Sequence, residues 1–326
     1  MKDIGSLLLA CLVSLVAYVF VFGFVVERPL VIDVAADVFN RKLAYAARAP
    51  SPKMFILAGS NARFSHSCAV LEEGLGTPCV NLGVSAGIGI DWEIDKARPY
   101  MRPGDLVYIP LEYDLYTKSR SELFSGADAA YRFRHDKRSL LSRGPEGLVR
   151  AAFLFDLGSL IQSVGEMALS AAGVTRRFGA ATMDVQGDEI DHGDLKAKPY
   201  EYFLRMQPTP LLHAELWNMG KDGSQVAIGA FLDWCRANGI VAVGGLPTTF
   251  DDLQLPPAFL AQLEDFYRAH GATFIILPNR SQYPRRAFFD TPYHLRDRFQ
   301  EQHSRLLVSA LRPRLPAAPV PAQPSR

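Results

Sequence analysis

The chain has almost no excess of charge of either sign, with 35 basic against 34 acidic residues in 326. A nucleic-acid surface is built from a basic surplus on one face, so no nucleic-acid partner is expected. Cysteine is scarce. The four are Cys11, Cys68, Cys79 and Cys235, and no two stand in the C-x-x-C spacing of zinc sites. No metal is therefore expected. Gly87-Ile88-Gly89 does not extend into G-x-G-x-x-G, so the dinucleotide fingerprint is missing and no cofactor is expected. Internal repeats are also lacking, which excludes a solenoid or propeller. Cys68 and Cys79 lie eleven apart. They read either as a disulfide, in an oxidising compartment, or as two small buried hydrophobes.

Hydrophobic residues are plentiful at 48%, enough for a large core. Ile4 to Val26 is apolar without a single charge. A run of that length can cross a bilayer as a helix. It reads as a retained signal anchor over residues 1–28, because no Ala-x-Ala cleavage pattern follows Val26. A cleaved signal or a buried core helix are the alternatives. Lys2 on one side and Arg28 and Arg41 on the other leave the positive-inside rule close to a draw.

Beyond the run, residues 29–52 read as a stalk or packing helix, with helical spacing from Val31 to Ala47. Short apolar strands are expected at Lys53–Ala58, Cys79–Leu82, Asp105–Pro110, Ile240–Gly244 and Ala272–Leu277. Helices are expected at Ala62–Leu75, Trp92–Met101, Gln225–Ala237, Pro257–His270 and Phe299–Leu311. Strands alternating with helices of this length predict an α/β fold with a parallel sheet covered on both faces. Residues 53–312 form that domain. An insertion at 115–224 interrupts it, helical and apolar from Leu148 to Ala172 and unpatterned from Arg176 to Leu211. The tail, 313–326, holds five prolines in fourteen residues and is expected to be disordered.

Two constellations carry chemistry. Gly59-Ser60-Asn61 follows the apolar run Met54–Ala58 and opens a helix. That turn exposes a hydroxyl at the carboxyl edge of a sheet, where helix N–H groups favour a developing oxyanion; a plain N-cap serine is the simpler explanation. Near the other end, Asp290 precedes His294 by four residues. A hydroxyl becomes a nucleophile when a histidine takes its proton and a carboxylate orients that histidine. His66 and His303 are weaker bases because both fall within expected helices. A rival nucleophile exists: Gly83-Val84-Ser85-Ala86-Gly87 matches the G-x-S-x-G elbow of α/β-hydrolases. That fold places several strands before its elbow, and only two precede Ser85, so Ser60 is preferred.

These blocks resemble the SGNH (GDSL-like) hydrolases. More narrowly they resemble the membrane-anchored members that serve exopolysaccharide O-acetylation and the related DltD-like D-alanylation proteins. The resemblance covers Met54–Asp114 and Ile240–Leu311. It implies a three-layer α/β/α sandwich with a central parallel sheet (SGNH/flavodoxin-like). It implies Ser60 as nucleophile, His294 and Asp290 as the other triad members, and Gly83 as an oxyanion-hole donor. It also implies partners, namely a polysaccharide substrate, a polytopic membrane acyltransferase that supplies acyl groups, and a polysaccharide synthase complex.

Three departures from the family pattern stand out. Gly59 replaces the Asp before the nucleophile. The Asp-to-His spacing is four rather than three. Glu112 stands where an Asn side chain normally helps to form the oxyanion hole, and an ionised carboxylate cannot donate. Either Asn61 substitutes as donor, or Glu112 has another task such as lining the substrate side, or the hole has only backbone donors. The expected activity is serine O-acyl transfer or ester hydrolysis on an extracytoplasmic polysaccharide such as cellulose or alginate. DltD-like D-alanyl transfer, thioester hydrolysis and a non-catalytic assembly role are the alternatives.

Overall fold

The computed structural model describes residues 2–21, 30–119, 122–124, 126–152, 157–174, 179–209 and 211–315. Five parallel strands form one sheet. They are β1 (Met54–Ile56), β2 (Cys79–Asn81), β3 (Leu106–Ile109), β4 (Val241–Gly245) and β6 (Thr273–Ile275), in the order β2-β1-β3-β4-β6. A separate parallel pair joins β5 (Thr249–Phe250) to β7 (Gln282–Tyr283). The register runs Met54 opposite Cys79 on one side and Leu106 on the other. Residues of β1, β2 and β3 are buried throughout. Continuous apolar runs of this kind are what a sheet covered on both faces requires.

Helices connect the strands. Cys68–Leu75 packs with Asp297–Leu311, while Ile90–Ala97, Ser224–Ala237 and Pro257–Ala269 form a second group. Right-handed crossovers put the helix between β1 and β2 on one face and those that lead to β3, β4 and β6 on the other. The expected α/β architecture with a central parallel sheet is therefore found.

Two expectations change in detail, and one open alternative is settled. The helix foreseen over Ala62–Leu75 is two, Ser60–Ser65 and Cys68–Leu75. The break comes at His66, which is extended, and at Ser67, whose hydroxyl caps the second helix through Val70 N. Cys68 and Cys79 are disulfide-bonded, which ties that second helix to the start of β2. At the N-terminus the apolar helix Lys2–Phe20 is 19 residues long. Among the described residues no helix is long and apolar enough to cross a membrane. The expected 23-residue span is thus not found. The helix begins in the charged pair Lys2-Asp3, and the far end of the run lies in residues 22–29, outside those described. Ile4, Leu8, Leu12, Val16 and Phe20 are all exposed. Most of the proline-rich tail, residues 316–326, also lies outside the described residues.

The insertion has two characters. Helices Gly144–Ala152 and Leu157–Ala171 leave Val149, Ile161, Val164 and Leu169 exposed. The stretch without periodicity folds back instead and buries Asp188, Glu189 and His192.

Candidate active site

In a doubly wound sheet of order 2-1-3, the chain leaves β1 toward one edge and later returns to its other side. The crevice beyond the carboxyl ends of β1 and β3 is the topological switch point where such sheets bind ligands. Ser60 follows β1 there, and Glu112 follows β3.

Gly59 makes the turn possible. A Cβ on it would meet Glu112 Oε1 at 2.6 Å and Ala86 N at 2.7 Å, so only glycine fits at this position. The six-residue helix Ser60–Ser65 then begins. Its residues Asn61 to Ser65 are all buried, and only Ser60 is reached by solvent. The Glu112 carboxylate closes this N-terminus: Oε2 accepts from Gly59 N at 3.0 Å and Oε1 from Asn61 N at 2.9 Å. Burial pushes the Glu112 carboxyl above its ordinary range, against the opposing pull of the Asn61 amide. Glu112 thus stands beside Ser60.

The late pair is assembled as well. His294 Nδ1 lies 2.7 Å from Asp290 Oδ1. The imidazole stacks on Phe64 with centroids 4.1 Å apart and planes 12° from parallel. Phe64 is four residues after Ser60 on one short helix. Positions i and i+4 share a helix face, so the ring that supports His294 rises from the same face as the serine. The loop with the pair is an antiparallel turn, with Phe289 N donating to His294 O at 2.7 Å and Arg296 N to Ala287 O at 2.8 Å.

Asn61 links the three strand ends. Its Nδ2 donates to Pro110 O after β3 at 2.9 Å, and its Oδ1 accepts from Thr248 Oγ1 after β4 at 2.7 Å. Thr248 Oγ1 also lies 2.7 Å from Ser65 Oγ and 2.8 Å from Tyr293 O. Leu295 N donates to Ser65 Oγ at 3.1 Å. This buried network locks the helix of Ser60 to the loop of His294. A buried polar network of this kind positions sharply when every member is satisfied.

Neither expected oxyanion donor is free. Asn61 gives its backbone N–H to Glu112 and its side chain to Pro110. Gly83 N donates to Asn81 Oδ1 at 3.0 Å, and Gly83 O accepts from the buried Lys42 Nζ at 2.5 Å. A Cβ on Gly83 would meet Gly59 O at 2.6 Å, so β2's loop leans directly on the Ser60 turn. Ser85 lies in the same loop, five residues before the helix that starts at Ile90. Its Oγ is 3.2 Å from Gly87 N. A nucleophile elbow needs the serine on the strand-to-helix turn itself, and Ser85 is not on one.

His66 and His303 sit together in the interior, ring centroids 4.9 Å apart and both fully buried, so neither is open to a substrate. Burial lowers His66 to about 4.

Sequence reasoning missed Phe64, Thr248 and the folded-back insertion. Phe64 was visible as the i+4 partner of Ser60, and Thr248 as a polar residue just past a strand's carboxyl end. The insertion left no such signal. Glu189 Oε2 pairs with Arg63 Nη2 at 2.5 Å, and Asp188 Oδ1 accepts from Asn81 Nδ2 at 2.7 Å. His192 meets Phe64 edge-on at 5.7 Å, and burial lowers its pKa to about 4. Glu189 and His192 thus hold two residues of the Ser60 helix, Arg63 and Phe64, while Asp188 ties the same segment to the end of β2.

Among the described residues no group of three or more His, Cys, Asp or Glu could hold a metal ion. No protein-family model matches the chain, and neither a curated protein nor a solved structure shows significant similarity to it.

Proposed function

We propose that this chain is a membrane-attached, extracytoplasmic serine O-acyltransferase or esterase whose acceptor is a polysaccharide. One observation carries the reading. The hydrogen-bonded Asp290–His294 pair stacks on Phe64, and Phe64 belongs to the buried helix whose one solvent-reached residue is Ser60. In the reaction, His294 takes the Ser60 proton while Asp290 orients the ring, and the Ser60 oxygen bonds to the acyl carbon. The donor's leaving group then departs with that proton. A sugar hydroxyl or water, deprotonated by His294, next attacks the acyl-serine and releases Ser60. The oxyanion competes with Glu112 for the Asn61 amide.

The Cys68–Cys79 disulfide supports placement outside the cytoplasm, since such bonds persist in oxidising compartments. The exposed apolar side chains of Lys2–Phe20 support attachment to a membrane. A polytopic acyl donor and a polysaccharide synthase are the partners this reading implies. A DltD-like D-alanyl transfer would use the same residues with a different acyl group.

The test is labelling of the full chain by a fluorophosphonate, which reacts with an activated serine. Labelling that disappears in Ser60→Ala supports the proposal. A second reading, a non-catalytic assembly factor, is favoured by one fact: the amides of Gly59, Asn61 and Gly83 are all engaged internally. An unlabelled but folded wild-type chain would establish it instead.

A further inference from the structure

The loop that carries Asp290 and His294 has a second end. Its two arms pair from Phe289 and His294 down to Ala287 and Arg296. Asp290 and His294 are at the tip. Arg285, Arg286 and Arg296 are at the base, and there they line a cavity of about 220 Å³ together with Glu201, Leu204 and Arg205. Four guanidinium groups thus surround one small cavity. A strand advances about 3.3 Å per residue, so Arg296 stands roughly 7 Å along the backbone from His294.

Two of the four arginines are committed to structure. Arg296 is buried and held at 3.0 Å by Asp194 and at 3.0 Å by Glu201, with Nε on Phe288 O. Arg285 lies over the Phe250 ring, pairs with Asp252 at 2.8 Å, and donates to Leu204 O and Gln207 O. These contacts offset the charges of Glu201, Asp194 and Asp252. The other two arginines are uncommitted. Among the described residues neither Arg205 nor Arg286 has a carboxylate partner, and both are exposed. Arg205 instead lies over the Tyr202 ring at 5.7 Å. Guanidinium forks match carboxylate and phosphate oxygens in two-point contacts, and the cavity is smaller than the 300 Å³ or more of a drug-sized pocket. Its contents would be a single group.

We infer that this cavity is an anion subsite that holds a carboxylate or phosphate group borne by a sugar unit of the acceptor polymer, beside the unit presented to Ser60 and His294. Arg205 and Arg286 contact the anion, and Arg285 and Arg296 form the rigid cationic wall behind them. The inference rests on the proposed function for the identity of the polymer. The anion site itself stands on the arginines.

The test is equilibrium binding to the full chain in nanodiscs. Three probes are compared: an oligogalacturonate bearing carboxylates, a glycerol-phosphate oligomer bearing phosphates, and a neutral cello-oligosaccharide. The expected result is that one anionic probe binds, that its Kd rises about tenfold or more in Arg205→Ala/Arg286→Ala, and that affinity falls with added salt. The anionic probe that binds identifies the source of the oxyanion. Arg41→Ala/Arg48→Ala, on another cavity of the surface, should leave the Kd unchanged and controls for general charge. Equal affinity for the neutral probe, no anionic binding, or an unaltered Kd in the Arg205/Arg286 variant each overturns the inference. Fluorophosphonate labelling of the same samples separates the two claims: a labelled Ser60 without anion binding sinks the subsite alone, and anion binding without labelling sinks the acyl transfer alone.

Discussion

Ser60 and Ser85 follow neighbouring strands of one parallel sheet and emerge at the same edge, yet they occupy different chemical situations. Ser60 begins a helix one residue after Gly59, with Glu112 on the flanking amides. Ser85 lies in a loop, its hydroxyl close to Gly87 N, and no helix begins until Ile90. Phe64 lies one turn beyond Ser60, with the Asp290–His294 pair resting on it. The difference teaches that a serine motif is defined by what the next turn of chain supports. The five-residue pattern around Ser85 matches a hydrolase signature, and its surroundings do not form the turn.

The largest effect should come from removing the two hydroxyls in turn. Ser60→Ala should lower fluorophosphonate labelling and acyl transfer by about 10³-fold or more, with an unchanged melting temperature. Ser85→Ala should stay within a few-fold of wild type. A dead Ser85→Ala beside an active Ser60→Ala would reverse the comparison. The base should behave as one unit with the nucleophile. His294→Ala should be nearly as damaging as Ser60→Ala, and the double variant no worse than either single one. Asp290→Asn should lose less than either, because the carboxylate only orients the ring and stabilises its cation. Multiplicative losses in the double variant would separate the residues.

The Ser60 side should also be the acid-sensitive one. His66 ends the Ser60 helix and His192 borders Phe64, and burial lowers both to about 4. Each is therefore neutral when folded and takes up a proton on unfolding below its free pKa of about 6.5. Their stabilising contribution is complete above that value and is lost as pH falls from about 6.5 to about 4, on the order of 3 kcal/mol per histidine. Melting temperature measured across that range should fall, and His192→Gln should flatten the slope. An unchanged slope would remove His192 from the account.

Smaller effects should follow from the links. Thr248→Val removes the hydroxyl shared by Asn61, Ser65 and Tyr293. Leaving those buried groups short should cost about 1–3 kcal/mol, and labelling of Ser60 should slow while Ser85→Ala on that background adds nothing. Glu112→Gln turns one acceptor into a donor that faces a backbone N–H. It should cost about 1–2 kcal/mol by thermal unfolding. No change would mean that the two amides are satisfied by water.

Much of this was legible without coordinates. The short apolar runs within Met54–Ala58 and Asp105–Pro110 have the length and flanking residues of buried strands, and their alternation with helices pointed to a parallel sheet. Gly59-Ser60 at a strand end and Asp290 near His294 were visible because local geometry makes them so: a four-residue separation can close a hydrogen bond within one loop. Other contacts arose from residues far apart in the chain, and spacing carries no information about those. Glu112 reaches Gly59 across a separation of 53, and Glu189 reaches Arg63 across 126. The stretch from Arg176 to Leu211 looked like a featureless loop because its order comes from what it packs against rather than from a period of its own. The chain alone therefore determined the sheet, its helices and the chemical types gathered at one edge. Only the tertiary structure decided which serine's helix is bonded to the histidine loop and that the amides of Gly59, Asn61 and Gly83 are engaged. It also decided that four arginines share a cavity, since each outcome depends on packing between segments no local rule connects.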